Sequence, residues 1–166
     1  TKHVISTTFF SHFGGEYDGP LADDITWDGY ADVIDTTNGQ IYVNSTAGFT
    51  APPVHISEID VDNTRGVDVY DMDGDGDLDI IIASARALPS MDRRIEWYEQ
   101  GPGMTFTAHF LANTDPDSPH LLHAADLDQD GDGDVLAAGG GLFVSHGLFW
   151  HEQDRVCNPH GVSESP

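Results

Sequence analysis

Asp71-Met72-Asp73-Gly74-Asp75-Gly76-Asp77-Leu78-Asp79 places five aspartates at alternate positions within nine residues. Like charges held that close repel by on the order of 1 kcal/mol per pair even in water, and by more when partly buried. A hard cation removes the conflict. Calcium takes roughly six to eight oxygen ligands, drawn from carboxylates and backbone carbonyls. Gly76, the sixth residue of the stretch, lets the chain turn sharply around an ion, because glycine adopts positive φ without steric cost. On this reading Asp71, Asp73, Asp75 and Asp79 are side-chain ligands and Asp77 lends its carbonyl. The loop is not an EF-hand, which needs a glutamate at its twelfth position between two helices. Ile82 stands there, and the flank Leu78-Asp79-Ile80-Ile81-Ile82 is β-branched and apolar, which predicts a strand.

The ladder recurs. Asp126-Leu127-Asp128-Gln129-Asp130-Gly131-Asp132-Gly133-Asp134 matches it position for position, so Asp126, Asp128, Asp130 and Asp134 take the side-chain roles and Asp132 the carbonyl role. A weaker copy lies upstream, where Asp24, Thr26, Asp28, Tyr30 and Asp32 fill the same places. Thr26 replaces the third-position carboxylate, and Tyr30 still offers a carbonyl. The three stretches start 47 and 55 residues apart. A repeat near 50 residues is the signature of a propeller or an array.

The elements that position these loops repeat with them. Ile95-Glu96-Trp97-Tyr98-Glu99-Gln100 follows the second loop, Leu148-Phe149-Trp150-His151-Glu152-Gln153 the third, and Gln40-Ile41-Tyr42-Val43-Asn44 the first. A further segment carries His55 or His109, and His3 in Lys2-His3-Val4-Ile5 fits the same slot. Each unit therefore reads as four short strands: one entering the loop, one leaving it, an aromatic strand and a histidine strand. No stretch shows a helical period. Turn signals such as Asn38-Gly39, Gly101-Pro102-Gly103 and Gly139-Gly140-Gly141 separate the strands.

With the D-x-D-x-D-G-x-x-D loops at 71–79 and 126–134, the apolar strand after each and the Trp-Tyr-Glu-Gln strand, the chain resembles the FG-GAP/VCBS repeats. These are the blades of calcium-binding β-propellers, among them the integrin α-subunit head and several fungal and bacterial lectins. The resemblance covers residues 1–153 and leaves 154–166 as a C-terminal tail. It implies an all-β fold of three four-stranded propeller-type blades, two calcium sites and a third, weaker one at 24–32. It also implies that the N-terminal strand completes a last blade, in cis or in trans. Closed propellers have about four to eight blades, and open edges are normally avoided. Three blades thus lead to three expectations: a segment of a longer propeller, a six-bladed ring of two chains, or an open head-to-tail series that builds a fibre.

Composition narrows the function classes. Against 29 acidic residues stand 6 basic ones, a net charge of −23. That excludes nucleic acid, which requires a basic footprint, and anionic lipid headgroups. Thirteen of the acids lie in the three loops, so metal loading accounts for much of the excess. No apolar run approaches the roughly 20 residues of a membrane helix. The lone Cys157 cannot form an internal disulfide. Weak calcium modules stay loaded outside cells, so a secreted or cell-surface location is expected. Thr1 is not a native start, which suits a processed product or a piece of a longer protein.

Other candidates read as scaffold. His3, His55 and His109 belong to the blade pattern. His120 and His123 precede the third loop as possible outer contacts, and His146, His151 and His160 with Cys157 fit no strict transition-metal spacing. Trp97 and Trp150, at matched positions, read as core or inter-blade packing, and Trp27 as exposed. Asp60 to Asp68 has Arg65 where glycine is needed and reads as an ordinary inter-strand loop. Asn44-Ser45-Thr46 is a glycosylation sequon. Arg86 to Arg94 gathers three bases in a longer loop suited to contacts. No nucleophile elbow, P-loop or zincin helix is present. The expected function is a secreted, calcium-stabilised, non-enzymatic module for extracellular adhesion or assembly, its partner another copy or an extracellular protein or glycan. The alternatives are a lectin-like carbohydrate binder and an accessory segment of a secreted polysaccharide-degrading enzyme.

Overall fold

A computed structural model describes residues 2–5, 20–36, 39–56, 64–85, 93–114, 119–139 and 147–153. Among them lie eleven strands and no helix: β1 (Leu21–Asp23), β2 (Asp32–Asp35), β3 (Gln40–Tyr42), β4 (Val54–His55), β5 (Thr64–Tyr70), β6 (Asp79–Ala85), β7 (Arg93–Gly101), β8 (Thr105–Asn113), β9 (Pro119–Ala125), β10 (Asp134–Gly139) and β11 (Gly147–His151). They form three antiparallel meanders. The first sheet runs β1-β2-β3-β4, the second β5-β6-β7-β8 and the third β9-β10-β11. In each, an aspartate loop joins the first two strands, so the loops occupy the same corner of each sheet. No helix among the described residues is long and apolar enough to cross a membrane.

The run Ile80-Ile81-Ile82 explains how the sheets stack. Successive side chains of a strand point to opposite faces. Ile80 and Ile82 join Ile25, Ile34, Ile41, Ile56 and Tyr98 in one core. Ile81 points the other way, into a second core with Met72, Ile95, Trp97, Ala124, Val135 and Ala137. The second sheet is therefore covered on both faces, which is why its central strand has no polar alternation. Each fully buried isoleucine contributes on the order of 1.5–3 kcal/mol.

Hydrogen bonds link the sheets at the loop corner. Gln100 Nε2 donates to the Ile25 carbonyl at 3.4 Å, and Gln153 Nε2 donates to the Met72 carbonyl at 3.4 Å. Ile25 and Met72 both hold the second position of their loops, so the two junctions are built alike. The Gly133 N–H also donates to the Met72 carbonyl at 3.0 Å. A Cβ on Gly133 would lie 2.7 Å from the Tyr70 ring and 2.8 Å from the Met72 sulfur. Glycine is needed there for close approach of the third sheet to the second.

Several expectations are corrected. Residues 2–5 join no strand in this chain and are exposed, and the third sheet has three strands among the described residues. Thr64–Asp68, expected in a loop, opens β5, since Val67 and Val69 pack against the first core; residues 57–63 lie outside the described residues. His55 and His109 do not share a position. His109 pairs with Trp97, whereas His55 pairs with Gln40 and Val54 takes the place opposite Ile41. Trp97 is core, but its counterpart Trp150 is exposed, since no sheet among the described residues covers it.

Candidate metal centre

The aspartate loops owe their shape to backbone geometry that all three share. Positions four and six adopt left-handed φ in every copy: Trp27 at 56° and Gly29 at 90°, Gly74 at 76° and Gly76 at 100°, Gln129 at 67° and Gly131 at 95°. The first loop, with Thr26 in place of aspartate, is thus folded like the others. It accepts a tryptophan in a conformation that L-residues seldom adopt, and Trp27 is exposed as expected.

The loop carboxylates then hydrogen-bond to backbone inside the loop. Asp73 Oδ1 accepts from the Asp75 N–H at 3.1 Å, and Asp75 Oδ1 from the Asp77 N–H at 2.9 Å. Asp128 Oδ1 and Asp130 Oδ1 repeat this with the N–H groups of Asp130 and Asp132 at 3.1 and 3.2 Å. Asp71 Oδ2 accepts from the Gly76 N–H at 3.0 Å. These bonds turn the remaining oxygens inward.

Ligand oxygens of Asp71, Asp73 and Asp79 lie within 4.8 Å of one another, as do those of Asp126, Asp128 and Asp130. The first position carries the strongest sign of a ligand. Asp71 Oδ1 and Asp126 Oδ1 are both buried and accept no hydrogen bond from the described residues. A buried carboxylate oxygen without a donor is costly unless something positive meets it. The donor set is all oxygen and anionic, which fits calcium. In the weaker copy Asp24 has no such oxygen to spare. Its Oδ1 accepts from the Asp28 N–H at 3.0 Å and its Oδ2 from the Gly29 N–H at 2.8 Å. Asp24, Asp28 and Asp32 do not converge as the other two groups do.

The ninth position has a second task that spacing alone did not reveal. Asp79 is buried, and it accepts from the Met72 N–H at 2.9 Å and the Gln100 N–H at 2.7 Å. Asp134 accepts from Leu127 at 2.9 Å and Gln153 at 3.2 Å. Asp32 accepts from the Thr26 N–H at 3.2 Å, its hydroxyl at 3.1 Å and the Asn44 N–H at 2.7 Å. In all three sheets this aspartate clamps the start of its loop to the end of the third strand. The sequence held one signal for it: Gln100 and Gln153 close matching strands.

Burial pushes the Asp79 carboxyl up to about 7, against the pull of the Gln100 and Met72 N–H groups, and the charges of Asp73 and Asp75 add to the rise. Partial desolvation raises Asp73 as well. The Asp75 N–H opposes that rise, and Asp75, Glu99 and Asp71 reinforce it. Without a cation Asp73 and Asp79 therefore hold a proton more tightly than free carboxylates do.

Other candidates fall into the scaffold. His109 stacks on Trp97 with ring centroids 4.3 Å apart and meets Glu99 at 2.7 Å. His123 meets Asp68 of the second sheet at 3.1 Å, so it ties two sheets rather than backing a loop. His151 is half-buried, and desolvation lowers its pKa. Arg94 pairs with Glu96 at 2.9 Å. The Asn44 amide of the sequon donates to the Ala31 carbonyl at 3.1 Å. Residues 86–92, His146, Cys157, His160 and the tail lie outside the described residues, as does the side chain of His120.

Residues 71–137 match the FG-GAP-like repeat family, a span that runs from the second loop through the third. No curated protein matches the chain.

Proposed function

We propose that this chain, an FG-GAP-like repeat protein over residues 71–137, is a calcium-stabilised, non-catalytic module that serves adhesion or assembly outside the cell. Its three stacked sheets are read as propeller-type blades. One observation carries the reading: carboxylate oxygens of Asp71, Asp73 and Asp79 converge within 4.8 Å, with Asp71 Oδ1 buried and without a donor. Asp126, Asp128 and Asp130 converge likewise in the third loop, sharing the first and third positions but with the fifth-position aspartate in place of the ninth, and Asp126 Oδ1 is again buried and without a donor. Bound calcium supplies positive charge to these oxygens. The chain's own part is to pre-turn the loop at Gly74 and Gly76 and to hold Asp79 against two backbone N–H groups. The unfolded chain lacks the site, so binding energy adds to folding energy.

Thermal melts of the metal-free chain titrated with calcium test this. A site at about a hundredfold excess over its Kd adds about 2.7 kcal/mol, which for this length raises Tm by about 5–10 °C. Asp73→Ala and Asp128→Ala each remove part of the calcium-dependent rise. Asp24→Ala lowers Tm equally with and without calcium, since its oxygens serve N–H groups. A melting curve indifferent to calcium overturns the reading. The exposed rings of Trp27 and Trp150 favour a second use, stacking on sugars. Strong, specific signals from a glycan array would move the module to the carbohydrate binders.

A further inference from the structure

The two internal junctions define a rule that the third sheet leaves open. Each sheet lays its β6-type strand on the sheet before it, and each receives the next sheet over the opposite face. On the second sheet that receiving face holds Ile95 and Trp97, 0% and 7% exposed, and above it Met72 at the second loop position, 0% exposed. All three lie in the core shared with the third sheet. The register identifies their counterparts. Ile81 pairs with Trp97 as Leu136 pairs with Trp150, and Ala83 with Ile95 as Ala138 with Leu148. On the third sheet Leu148, Trp150 and Leu127 are 69%, 50% and 43% exposed. Leu121, paired with Ala138 on the same face, is exposed too.

We infer that this face is a docking surface for the first sheet of a second copy of the chain. Repetition of one interface supplies the argument. The surface is the continuation of a junction already formed twice, down to the position of the carbonyl that Gln100 and Gln153 address. Elimination identifies the occupant. The Ile80–Ile82 face of the second sheet and the Val135–Ala137 face of the third are used within the chain. No other described sheet lies on the equivalent face of the first, where Val33 is half-buried and Tyr42 is 9% exposed. Its Ile34 and Ile41 point into the first core, so Val33 and Tyr42, paired across β2 and β3, point away from it, with Ala22 beside Val33 on β1. Val33 and Tyr42 stand in register where Ile80 and Tyr98 stand in the second sheet. Joining the third sheet of one copy to the first of another is a head-to-tail contact, which yields a ring if it closes and a filament if it does not.

The inference rests on the assembly role proposed above but not on calcium. Sedimentation velocity and light scattering on the intact chain, over a concentration series with calcium and without, test it. Physiological salt is used, because the net charge of −23 opposes association at low ionic strength. The expected mass exceeds the 18.0 kDa of one chain and rises with concentration. Leu148→Asp with Trp150→Asp returns it to one chain, with circular dichroism unchanged because both residues are exposed. Ala22→Glu, also at an exposed residue, does the same from the other side. Phe110→Ser, at an exposed ring on β8, leaves assembly intact. Mixing the Leu148→Asp/Trp150→Asp chain with the Ala22→Glu chain restores a dimer and nothing larger, because each retains one good face. A single-chain mass at every concentration overturns the inference while a calcium-raised Tm still stands. Assembly that survives Leu148→Asp/Trp150→Asp overturns it as well. If Ala22→Glu alone still assembles, the first sheet is not the occupant.

Discussion

Ile95 and Leu148 occupy the same repeat position, and their substitution by alanine measures what a covering sheet is worth. Ile95 is fully buried between the second and third sheets. Its loss removes a transfer contribution of about 1.5–3 kcal/mol and leaves a cavity that the flanking strands cannot close, so Ile95→Ala costs about 2–5 kcal/mol. For a chain of this length that lowers Tm by about 4–20 °C. Leu148 lies on the uncovered face of the third sheet, mostly exposed. Roughly a third of its transfer contribution is at stake, and solvent fills the space, so Leu148→Ala costs under about 1 kcal/mol. Urea denaturation of both variants, at dilution and in calcium, gives the two values on one scale. An unchanged m-value shows that each variant altered stability rather than the denatured state. Met72→Ala and Leu127→Ala form a second matched pair, one buried and one exposed, at the second loop position. Equal losses at Ile95 and Leu148 would refute the stacking order, since they would mean that the third sheet's outer face is already covered within one chain.

Two further outcomes follow from the loop chemistry and the junction. In metal-free protein the Asp79 carboxyl titrates near 7 rather than 3.8 because it is buried. Its stabilising contribution is therefore full below the unfolded value and is lost as pH rises through about 7, so metal-free Tm increases on acidification from about 7 toward 4. On the calcium reading proposed above, the ion requires the ionised form, so its affinity falls over the same range. Asp79→Asn flattens the metal-free slope, and an unaltered slope in that variant sinks the assignment. Gly133→Ala forces a methyl against Tyr70 and Met72 and costs about 1–3 kcal/mol by overpacking. Urea denaturation checks this, and a loss within error of zero would show that the junction yields.

The shape of the aspartate loops was legible because it is set locally. Alternate aspartates with a glycine at the sixth place fix a turn in nine residues, and the three copies do share left-handed φ at positions four and six. The apolar run after each loop was legible as a strand for the same reason. The histidine slot was not, because strand pairing depends on the lengths of the connecting loops. His109 reaches Trp97 while His55 falls one residue out of register. Nor did the sequence distinguish Trp97 from Trp150, since their local surroundings are alike and only the presence of a following sheet separates them. Asp79, Asp134 and Asp32 read as metal ligands in a row of carboxylates. That they also clamp the third strand follows from partners 12 to 21 residues away.

Sequence alone determined the repeated unit: the all-β character and the aspartate-rich loop at each first strand turn. These depend on side-chain alternation and glycine stereochemistry within a few residues of each other. Tertiary structure decided which copy of each residue is buried. Ile80, Ile81 and Ile82 are core because sheets lie on both sides of them, and Leu148 is surface because no described sheet lies over it. Burial depends on what stacks above a strand, and no spacing within that strand records it.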